Sequence, residues 1–325
     1  MSVIRARIYQ LVFYLVVAIA ATAGYAQQFP SHPIHIVVPV PPGGGVDASA
    51  RLVGQKIGDR LGTTVVIDNR PGANGLIGTE AVARAAPDGY TLIMVSMSHA
   101  INPSFYPKIP YDSVKDFAPV SLVVTAPGLL VVGPSLKVRT VREFIEAAKS
   151  RPGQITVSSG GNGSPGHLAL ELMKKIAGID VIHVPYKGGG DVMTDVIGGR
   201  VDATIPGIAS ALPMVKAGKA TALAVTSSRR AATAPDVPTM AEAGLPGYEA
   251  ASWYALLAPA GTPREIVDTL SRETAQALKV NEVRERLIAQ GLDPAASTPA
   301  ELSKKIVDEI DKWHRLIQSA GIKND

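Results

Sequence analysis

Strand-like and helix-like segments alternate along this chain, and this alternation most constrains the fold. Short apolar runs typical of strands are followed by helix-like stretches from residue 34 to residue 95, and the pattern resumes from residue 155 to residue 226. Regular alternation of this kind is typical of α/β proteins with largely parallel strands. The sequence therefore predicts an α/β fold whose strand–helix units form two groups.

Two breaks in the pattern divide the predicted fold into two lobes. The first break lies near Pro127 and Gly128, and the second is a long irregular connection that precedes Trp253. After this connection the chain is expected to be helical, and the apolar residues from Leu302 to Ile317 fall on one face of a final helix. The predicted divisions are residues 27–125 for the first part of lobe 1, residues 126–248 for lobe 2 and residues 249–325 for the C-terminal part of lobe 1.

The N-terminus has the pattern of a secretory signal peptide. Arg5 and Arg7 precede a mostly apolar run at residues 8–19, and Gly24 and Ala26 suit the positions before a signal-peptidase cut. The apolar run is shorter than the ~20 residues that a membrane-spanning helix needs. We therefore predict that residues 1–26 are a cleaved signal peptide and that the protein is exported to the periplasm.

Composition excludes several classes of protein. The chain contains no cysteine, which argues against a lipid anchor at the cleavage site and against a disulfide-stapled fold. The formal net charge is only +4, and the basic residues are scattered instead of forming a stripe with interleaved aromatic residues. Binding to nucleic acid is therefore not expected.

Two glycine-rich loops stand out, one in each predicted lobe. In residues 37–58 and again in residues 155–175, an apolar strand runs into a glycine-rich turn that opens a helix. The first turn of a helix has free N–H groups and carries roughly half a positive charge, so it is suited to binding an anion. Two such termini facing each other across a cleft would hold an anion between the lobes, whereas the plainer alternative is that the glycines only make tight turns.

A nucleotide-binding interpretation is weaker. Gly161, Gly163 and Gly166 match the G-x-G-x-x-G fingerprint between a strand and a helix. However, Pro165 stiffens that turn, and the next strand ends in Pro185 instead of the acidic residue that would bind a ribose. The phosphate-binding G-x-x-x-x-G-K-[ST] motif is absent from both loops.

Catalytic and metal-binding patterns are also weak. Ser164 lacks the G-x-S-x-G context of a hydrolase nucleophile because Asn162 stands two positions before it. His167 and Glu171 have metal-ligand spacing on one helix, but no third ligand is suggested. We therefore expect no enzyme activity, no cofactor and no metal.

Several segments resemble the substrate-binding receptors of tripartite tricarboxylate transporters, which are also called Bug receptors. The resemblance includes "IVVPVPPGGGVDASARL", "VVIDNRPGANGLIG", "SSGGNGSPGHLALEL" and "PDVPTMAEAGLPGYE", and it continues in order from about Phe29 to the C-terminus. It implies a two-lobed, type II-like periplasmic binding protein fold with the ligand cleft between the lobes.

The resemblance also implies which residues bind the ligand. In this family the backbone amides of the two glycine loops hold a ligand carboxylate, which corresponds here to Gly43 and Gly44 in one lobe and to Gly163 and Ser164 in the other. Asp47 is either a ligand contact or an ordinary helix N-cap, and His167 either contacts the ligand or fixes its loop. The full set of expected ligand-binding residues is Gly43, Gly44, Asp47, Ser96, Ser98, His99, Ser158, Gly163, Ser164 and His167.

The function implied by the resemblance is capture of a solute in the periplasm. A monomeric receptor would close on a small organic acid, such as a dicarboxylate or tricarboxylate, an acidic amino acid or an aromatic acid. It would then deliver that acid to a two-component integral membrane permease. The alternative is a receptor that presents its ligand to a sensor or regulatory system without transport.

Overall fold

The computed structural model describes residues 29–186 and 192–322, which form two β-sheets with helices packed against them. The predicted signal peptide at residues 1–26 lies outside the described residues. Within the described residues, no helix combines the length and the apolar character that crossing a membrane requires.

The first sheet begins with the N-terminal strand–helix units. Its early strands are β1 (Ile34–Val38), β2 (Val65–Asn69), β3 (Thr91–Ser96) and β4 (Phe117–Ala126). Helices α1 (Gly45–Leu61), α2 (Leu76–Ala83) and α3 (Ser98–Phe105) lie between these strands in the chain. Strand β1 pairs in parallel with both β2 and β3, as expected for strands joined by helical crossovers.

The second sheet is built from the middle of the chain. Its strands are β5 (Leu129–Val132), β6 (Thr156–Ser159), β7 (Ile182–Pro185), β8 (Ala203–Thr204) and β9 (Thr221–Val225). The intervening helices are α4 (Val141–Ser150), α5 (Pro165–Ala177), α6 (Val192–Ile197) and α7 (Ile208–Lys216). The strand order is β7-β6-β8-β5-β9, and β6 pairs in parallel with both of its neighbours.

The C-terminal part of the chain returns to the first sheet. It contributes β10 (Ser252–Pro259), α8 (Arg264–Ala277), α9 (Asn281–Ala289), β11 (Asp293–Pro294) and α10 (Pro299–Ala320). The first sheet therefore has the order β11-β4-β10-β3-β1-β2. The predicted division at 125/126 falls at the end of β4, and the predicted division at 248/249 falls in the connection between β9 and β10.

Two predictions about these elements are wrong. The C-terminal part is not purely helical, because β10 is inserted between β3 and β4 in the first sheet. A short, continuously apolar run such as this one does not show whether it is a strand or a buried helix. The sequence also predicts a helix from residue 48 to residue 61, whereas helix α1 begins at Gly45, the one glycine of the run at residues 43–45 that has helical geometry.

Helix ends follow their sequence signals elsewhere. The sequence predicts that Thr140 caps a helix at residues 141–150. This cap is confirmed, because the Thr140 hydroxyl accepts a hydrogen bond from the Glu143 N–H while the Glu143 carboxylate accepts one from the Thr140 N–H. Thr298 and Glu301 form the same reciprocal pair at the start of α10, where Pro299 occupies the first helical position. These capping boxes satisfy N–H groups that a helix terminus otherwise leaves unpaired.

Helix α10 packs against elements of both parts of the fold. It packs on α3 and β4 of the first sheet and also contacts α5 of the second. Trp313 on this helix and Trp253 on β10 are both fully buried, and both indole N–H groups donate to the same carboxylate oxygen of Glu309, at 2.8 and 3.2 Å. Glu309 is itself only 6% exposed and is also bonded to the Lys312 ammonium. This buried carboxylate therefore ties the last helix to the centre of the first sheet.

We predict that Glu309→Leu lowers the free energy of unfolding by roughly 2 kcal/mol or more, because each buried donor left without an acceptor costs about 1–3 kcal/mol. Glu309→Gln keeps one acceptor oxygen and should cost less. Urea unfolding followed by tryptophan fluorescence measures both variants, with Asp308→Leu on the exposed side of α10 as the control. Equal stability of the Glu309→Leu variant and the wild type would contradict this role.

Candidate ligand-binding site

A cavity of about 660 Å³ lies between the two sheets. Its lining includes the first residues of three helices: Gly45 of α1, Ser164 and Pro165 at the start of α5, and Ile208 of α7. Tyr254 of β10 and the loop at residues 290–292 complete the wall on the side of the first sheet. The cavity therefore lies where strands from both sheets end and helices begin, which is a common place for ligands in α/β proteins.

The two chain segments that connect the sheets form one wall of the cavity, and they are hydrogen-bonded to each other. The chain leaves the first sheet after Ala126 and returns to it at Ser252, and both connections line the cavity. The Gly128 N–H donates to the Thr226 hydroxyl at 2.8 Å, and the Thr226 N–H donates to the Gly128 carbonyl at 3.0 Å. These reciprocal bonds join the two connections to each other.

The first glycine loop is held by Asp47. The carboxylate accepts hydrogen bonds from the Gly43 N–H at 2.9 Å, from Arg51 Nε at 3.1 Å and from Asn69 Nδ2 at 3.0 Å. Asp47 is 4% exposed and does not line the cavity. The N-cap of α1 is Gly44, so the alternative that Asp47 is an ordinary N-cap is wrong. Asp47 instead fixes the loop, which needs a glycine at residue 43 because φ there is +94°.

The charge of Asp47 is stabilised although the group is buried. Burial raises the pKa of this carboxyl, but hydrogen bonds from Arg51, the Gly43 N–H and Asn69 outweigh that effect and hold the pKa below its usual range. The carboxylate is therefore ionised at neutral pH and remains an acceptor for all three donors. Its position at the first turn of α1 also complements the helix dipole.

Helix α1 approaches the cavity closely at Gly45. A Cβ atom at this position would lie 2.9 Å from the hydroxyl oxygen of Tyr254, so only glycine lets the helix start against this ring. Burial raises the pKa of Tyr254, which keeps its hydroxyl protonated and able to donate a hydrogen bond into the cavity. Sequence reasoning missed both residues: Tyr254 lies on the strand that was not predicted, and Gly45 is the third glycine of a run in which the first two were expected to act.

The second glycine loop is held by neutral histidines. The Gly163 N–H donates to His167 Nδ1 at 3.1 Å, and the His167 N–H donates to the Ser164 hydroxyl at 3.3 Å. The ring of His183 stacks on His167 with 3.8 Å between centroids, and its Nε2 is hydrogen-bonded to the Ser159 hydroxyl at 2.7 Å. The Ser159 hydroxyl in turn accepts from the Gly161 N–H at 3.2 Å. The stacked rings of His167 and His183 therefore hold the second glycine loop in place through hydrogen bonds to Gly163 and Ser159.

Burial determines the protonation of these rings. It lowers the pKa of His167 and of His183 to about 4, with a further contribution from the positive charge of Lys174 at His167 and from the neighbouring His167 at His183. Both imidazoles are therefore neutral at pH 7. Neutrality is required by the geometry, because His167 Nδ1 accepts the Gly163 N–H and so carries no proton.

Three of the four backbone amides expected to bind the ligand donate instead to partners inside the protein. The Gly43 N–H is bonded to Asp47, and the Gly163 N–H is bonded to His167. The Ser164 N–H likewise donates to the Gly161 carbonyl at 3.2 Å, so Ser164 faces the cavity with its hydroxyl group. Gly163 itself is needed for close packing, since a Cβ there would lie 2.5 Å from the ring of Phe105 in the first lobe.

The other expected residues lie beside or behind the cavity. Ser96 and Ser98 hydrogen-bond to each other at 2.9 Å, and Ser96 pairs with Tyr254 across β3 and β10. His99 is buried, with Nε2 bonded to the Ser113 carbonyl at 2.9 Å and its ring against Phe117. Ser158 is buried within the second sheet, whereas its neighbour Ser159 lines the cavity. None of Ser96, Ser98, His99 and Ser158 belongs to the lining.

Sequence reasoning missed a third unit of the same kind. Strand β8, the dipeptide Pro206–Gly207 and the start of α7 repeat the order of strand, glycine turn and helix, and they line the cavity. The signal was weak because this turn has one glycine instead of a run. The loop at residues 290–292 had no signal at all, since it reaches the cavity only through tertiary packing.

Comparisons with known proteins agree with this architecture. The family model of the tripartite tricarboxylate transporter family receptor matches residues 49–322, and the chain belongs to this family. Protein BugT of Bordetella pertussis is 40% identical over 310 residues, which cover 93% of this chain and 95% of that protein.

Solved structures show the same two-lobed fold. The R. palustris protein Rpa4515, solved with adipate, has a TM-score of 0.75 and 37% identity, and the match covers 91% of this chain and 99% of that one. The periplasmic binding protein BugD has a TM-score of 0.71 and 32% identity over 91% of this chain and 100% of its own. The fold is therefore the two-lobed α/β fold of periplasmic solute-binding proteins.

We predict that the free energy of unfolding falls as the pH decreases from about 6.5 towards about 4, because the folded pKa of His167 and His183 lies below the unfolded value near 6.5. In this window the unfolded chain binds protons that the folded protein excludes. His99, whose pKa burial also lowers to about 4, contributes in the same direction.

Urea unfolding at several pH values tests this. His183→Gln should make the decrease shallower, and His35→Gln, at an exposed histidine of β1, should leave it unchanged. An identical pH profile for wild type and His183→Gln would contradict the protonation states assigned to the stacked rings.

Proposed function

We propose that this protein captures a small organic carboxylate in the periplasm and delivers it to a two-component membrane permease. The observation that carries the proposal is the composition of the cavity wall. The N-termini of α1 and α5, one from each lobe, line the same cavity, and the lining residues that the structure describes include no charged side chain. An anion held there would be stabilised by oriented backbone dipoles and hydroxyl groups.

Electrostatics favours an anion at this place. Each helix N-terminus carries roughly half a positive charge, so two of them together balance about one carboxylate. Asp47 and His167 fix the two loops through hydrogen bonds to Gly43 and Gly163, so little reorganisation is needed when the ligand arrives. The Ser164 and Tyr254 hydroxyls are the polar side chains best placed to bind the carboxylate directly.

The relatives support the same role. Rpa4515, which shares this fold at 37% identity, was solved with the dicarboxylate adipate. The family is described as the receptor of tripartite tricarboxylate transporters, which supports delivery to a permease, and BugD is described as a periplasmic binding protein. Export through cleavage after residue 26 is part of the proposal.

The first test is a thermal-shift screen of organic acids against residues 27–325, followed by calorimetric titration of the acids that raise Tm. A ligand that binds only the folded state raises the apparent free energy of unfolding of the protein, by about 2.7 kcal/mol at a ligand concentration of 100 Kd. At least one carboxylate should do so. If no carboxylate raises Tm while other solutes do, the proposed ligand class is wrong.

A matched pair of glycine variants tests the placement of that carboxylate. Gly45→Ala puts a methyl group against the Tyr254 hydroxyl and should weaken binding by about tenfold or more, since a displaced charge-assisted hydrogen bond is worth about 1.5–3 kcal/mol. Gly44→Ala meets no atom within 4 Å and has an ordinary φ of −82°, so it should bind as the wild type does. If both variants bound the acid with equal affinity, the proposed position of the carboxylate at the N-terminus of α1 would be wrong.

Deletion of the gene distinguishes delivery from signalling. Uptake of the acid identified in the screen should be lost in the deletion strain and restored by the wild-type gene. Unchanged uptake together with a lost transcriptional response to that acid would favour a receptor that serves a regulatory system.

A further inference from the structure

The second glycine loop meets the ring of Phe105, which belongs to the first lobe. Phe105 is the last residue of α3, and the atoms at the tip of its ring face Gly163. A Cβ atom at residue 163 would lie 2.5 Å from Cζ, 2.6 Å from Cε2 and 3.2 Å from Cε1 of this ring. Carbon atoms in ordinary contact are about 3.5–4.0 Å apart, so the ring occupies the space that a side chain would need. The missing side chain of Gly163 therefore permits a direct contact between the lobes.

Helix α3 holds Phe105 in a fixed position. The buried Asn102 exchanges two hydrogen bonds with Asn74, since its Oδ1 accepts from Asn74 Nδ2 at 2.9 Å and its Nδ2 donates to the Asn74 carbonyl at 3.2 Å. The Ser104 hydroxyl is hydrogen-bonded to His314 Nδ1 on α10 at 3.0 Å. The ring is therefore anchored to the first lobe through its own helix.

The position of Gly163 determines where α5 begins. Gly163 stands directly before Ser164, which caps α5 and lines the cavity. Neighbouring Cα atoms are about 3.8 Å apart, so a shift of Gly163 carries the start of the helix with it. The hydrogen bond from the Gly163 N–H to His167 Nδ1 holds the loop from within the second lobe. Phe105 supports the same residue from the first lobe.

We propose that Phe105 is a positioning residue for ligand binding, because it sets where the second glycine loop lies relative to the first lobe. This inference rests on the proposed function, and it adds a residue that determines affinity without touching the ligand, since neither Phe105 nor Gly163 lines the cavity. A ligand between the N-termini of α1 and α5 depends on the distance between them, and the contact with Phe105 fixes part of that distance. Packing that exists before the ligand arrives leaves less to be ordered on binding.

Gly163→Ala tests the contact from the side of the loop. The added methyl group is about 1 Å too close to the ring of Phe105, so the loop and the first lobe must move apart. Affinity for the acid identified in the screen should fall about tenfold or more. Gly218→Ala is the matched control, because Gly218 has the same φ of +69° and no atom within 4 Å of an added Cβ. Backbone strain is present with and without ligand, so this variant should lose stability and keep its affinity.

Phe105→Leu tests the contact from the side of the ring. Leucine is also apolar but lacks the Cε and Cζ atoms that face Gly163. Alone, this variant should weaken binding roughly threefold or more, because the loop loses its support. Combined with Gly163→Ala, it should give a protein that binds roughly threefold or more tightly than Gly163→Ala alone, because the added methyl group then has space. In the Gly218→Ala background the effects of the two substitutions should simply add.

Calorimetric titration of residues 27–325 measures Kd for the wild type and for each variant. Circular dichroism, recorded as a function of temperature, shows that each variant is folded at the temperature of the titration. Affinity of the folded protein is the decisive quantity, because a ring that only stabilised the fold would change Tm and leave Kd unchanged.

Three results would overturn the inference and leave carboxylate capture intact: wild-type affinity of Gly163→Ala, an equal loss of affinity in Gly218→Ala, or a double variant that binds no more tightly than Gly163→Ala. If Gly163→Ala does not fold, Phe105→Leu decides alone, and a Kd equal to that of the wild type would overturn the inference. Failure of every acid to bind the wild type would instead count against the proposed function, and the inference would be wrong together with it.

Discussion

The buried carboxylate of Asp47 joins three elements that build the first half of the site. It receives the Gly43 N–H of the loop, the Arg51 guanidinium of α1 and the Asn69 amide at the end of β2. A buried charge is unfavourable unless it is fully hydrogen-bonded, and these donors compensate for its burial. The positive φ of Gly43 and the start of α1 beside Tyr254 both depend on this arrangement.

The second half of the site is held by different chemistry. His167 accepts an amide hydrogen bond from Gly163, and His183 stacks on it and holds Ser159. These rings are neutral because burial lowers their pKa to about 4. An anionic support in one lobe and a neutral support in the other both leave the loops fixed before a ligand binds, so binding energy is not consumed in ordering them.

Much of the fold could be predicted from local patterns. The alternation of strands and helices, the cap at Thr140 and the positions of both glycine loops are all features of short segments. Strand β10 could not be recognised because its apolar run has no period, although its insertion between β3 and β4 decides how the first sheet is built.

The site was less predictable than the fold because its contacts join distant parts of the chain. Nothing local shows that Tyr254 packs on Gly45, or that Gly291 lies close against Ile208 and Ala209 at the start of α7. Amide groups at Gly43 and Gly163 looked like ligand donors in the sequence, and only tertiary structure shows Asp47 and His167 as their acceptors. His99 illustrates the reverse case, since it follows a strand that ends near the cavity, yet its ring lies in the core.

Calorimetric titration of Asp47→Asn with the tightest-binding acid tests most directly whether this carboxylate organises the site. Asparagine has one acceptor oxygen in place of two and adds an N–H₂ group that faces the existing donors. We predict that affinity falls by about tenfold or more, in line with the 1.5–3 kcal/mol of a charge-assisted hydrogen bond, whereas Asp59→Asn on the exposed part of α1 leaves it unchanged. A folded Asp47→Asn protein that binds the acid as tightly as the wild type would contradict it.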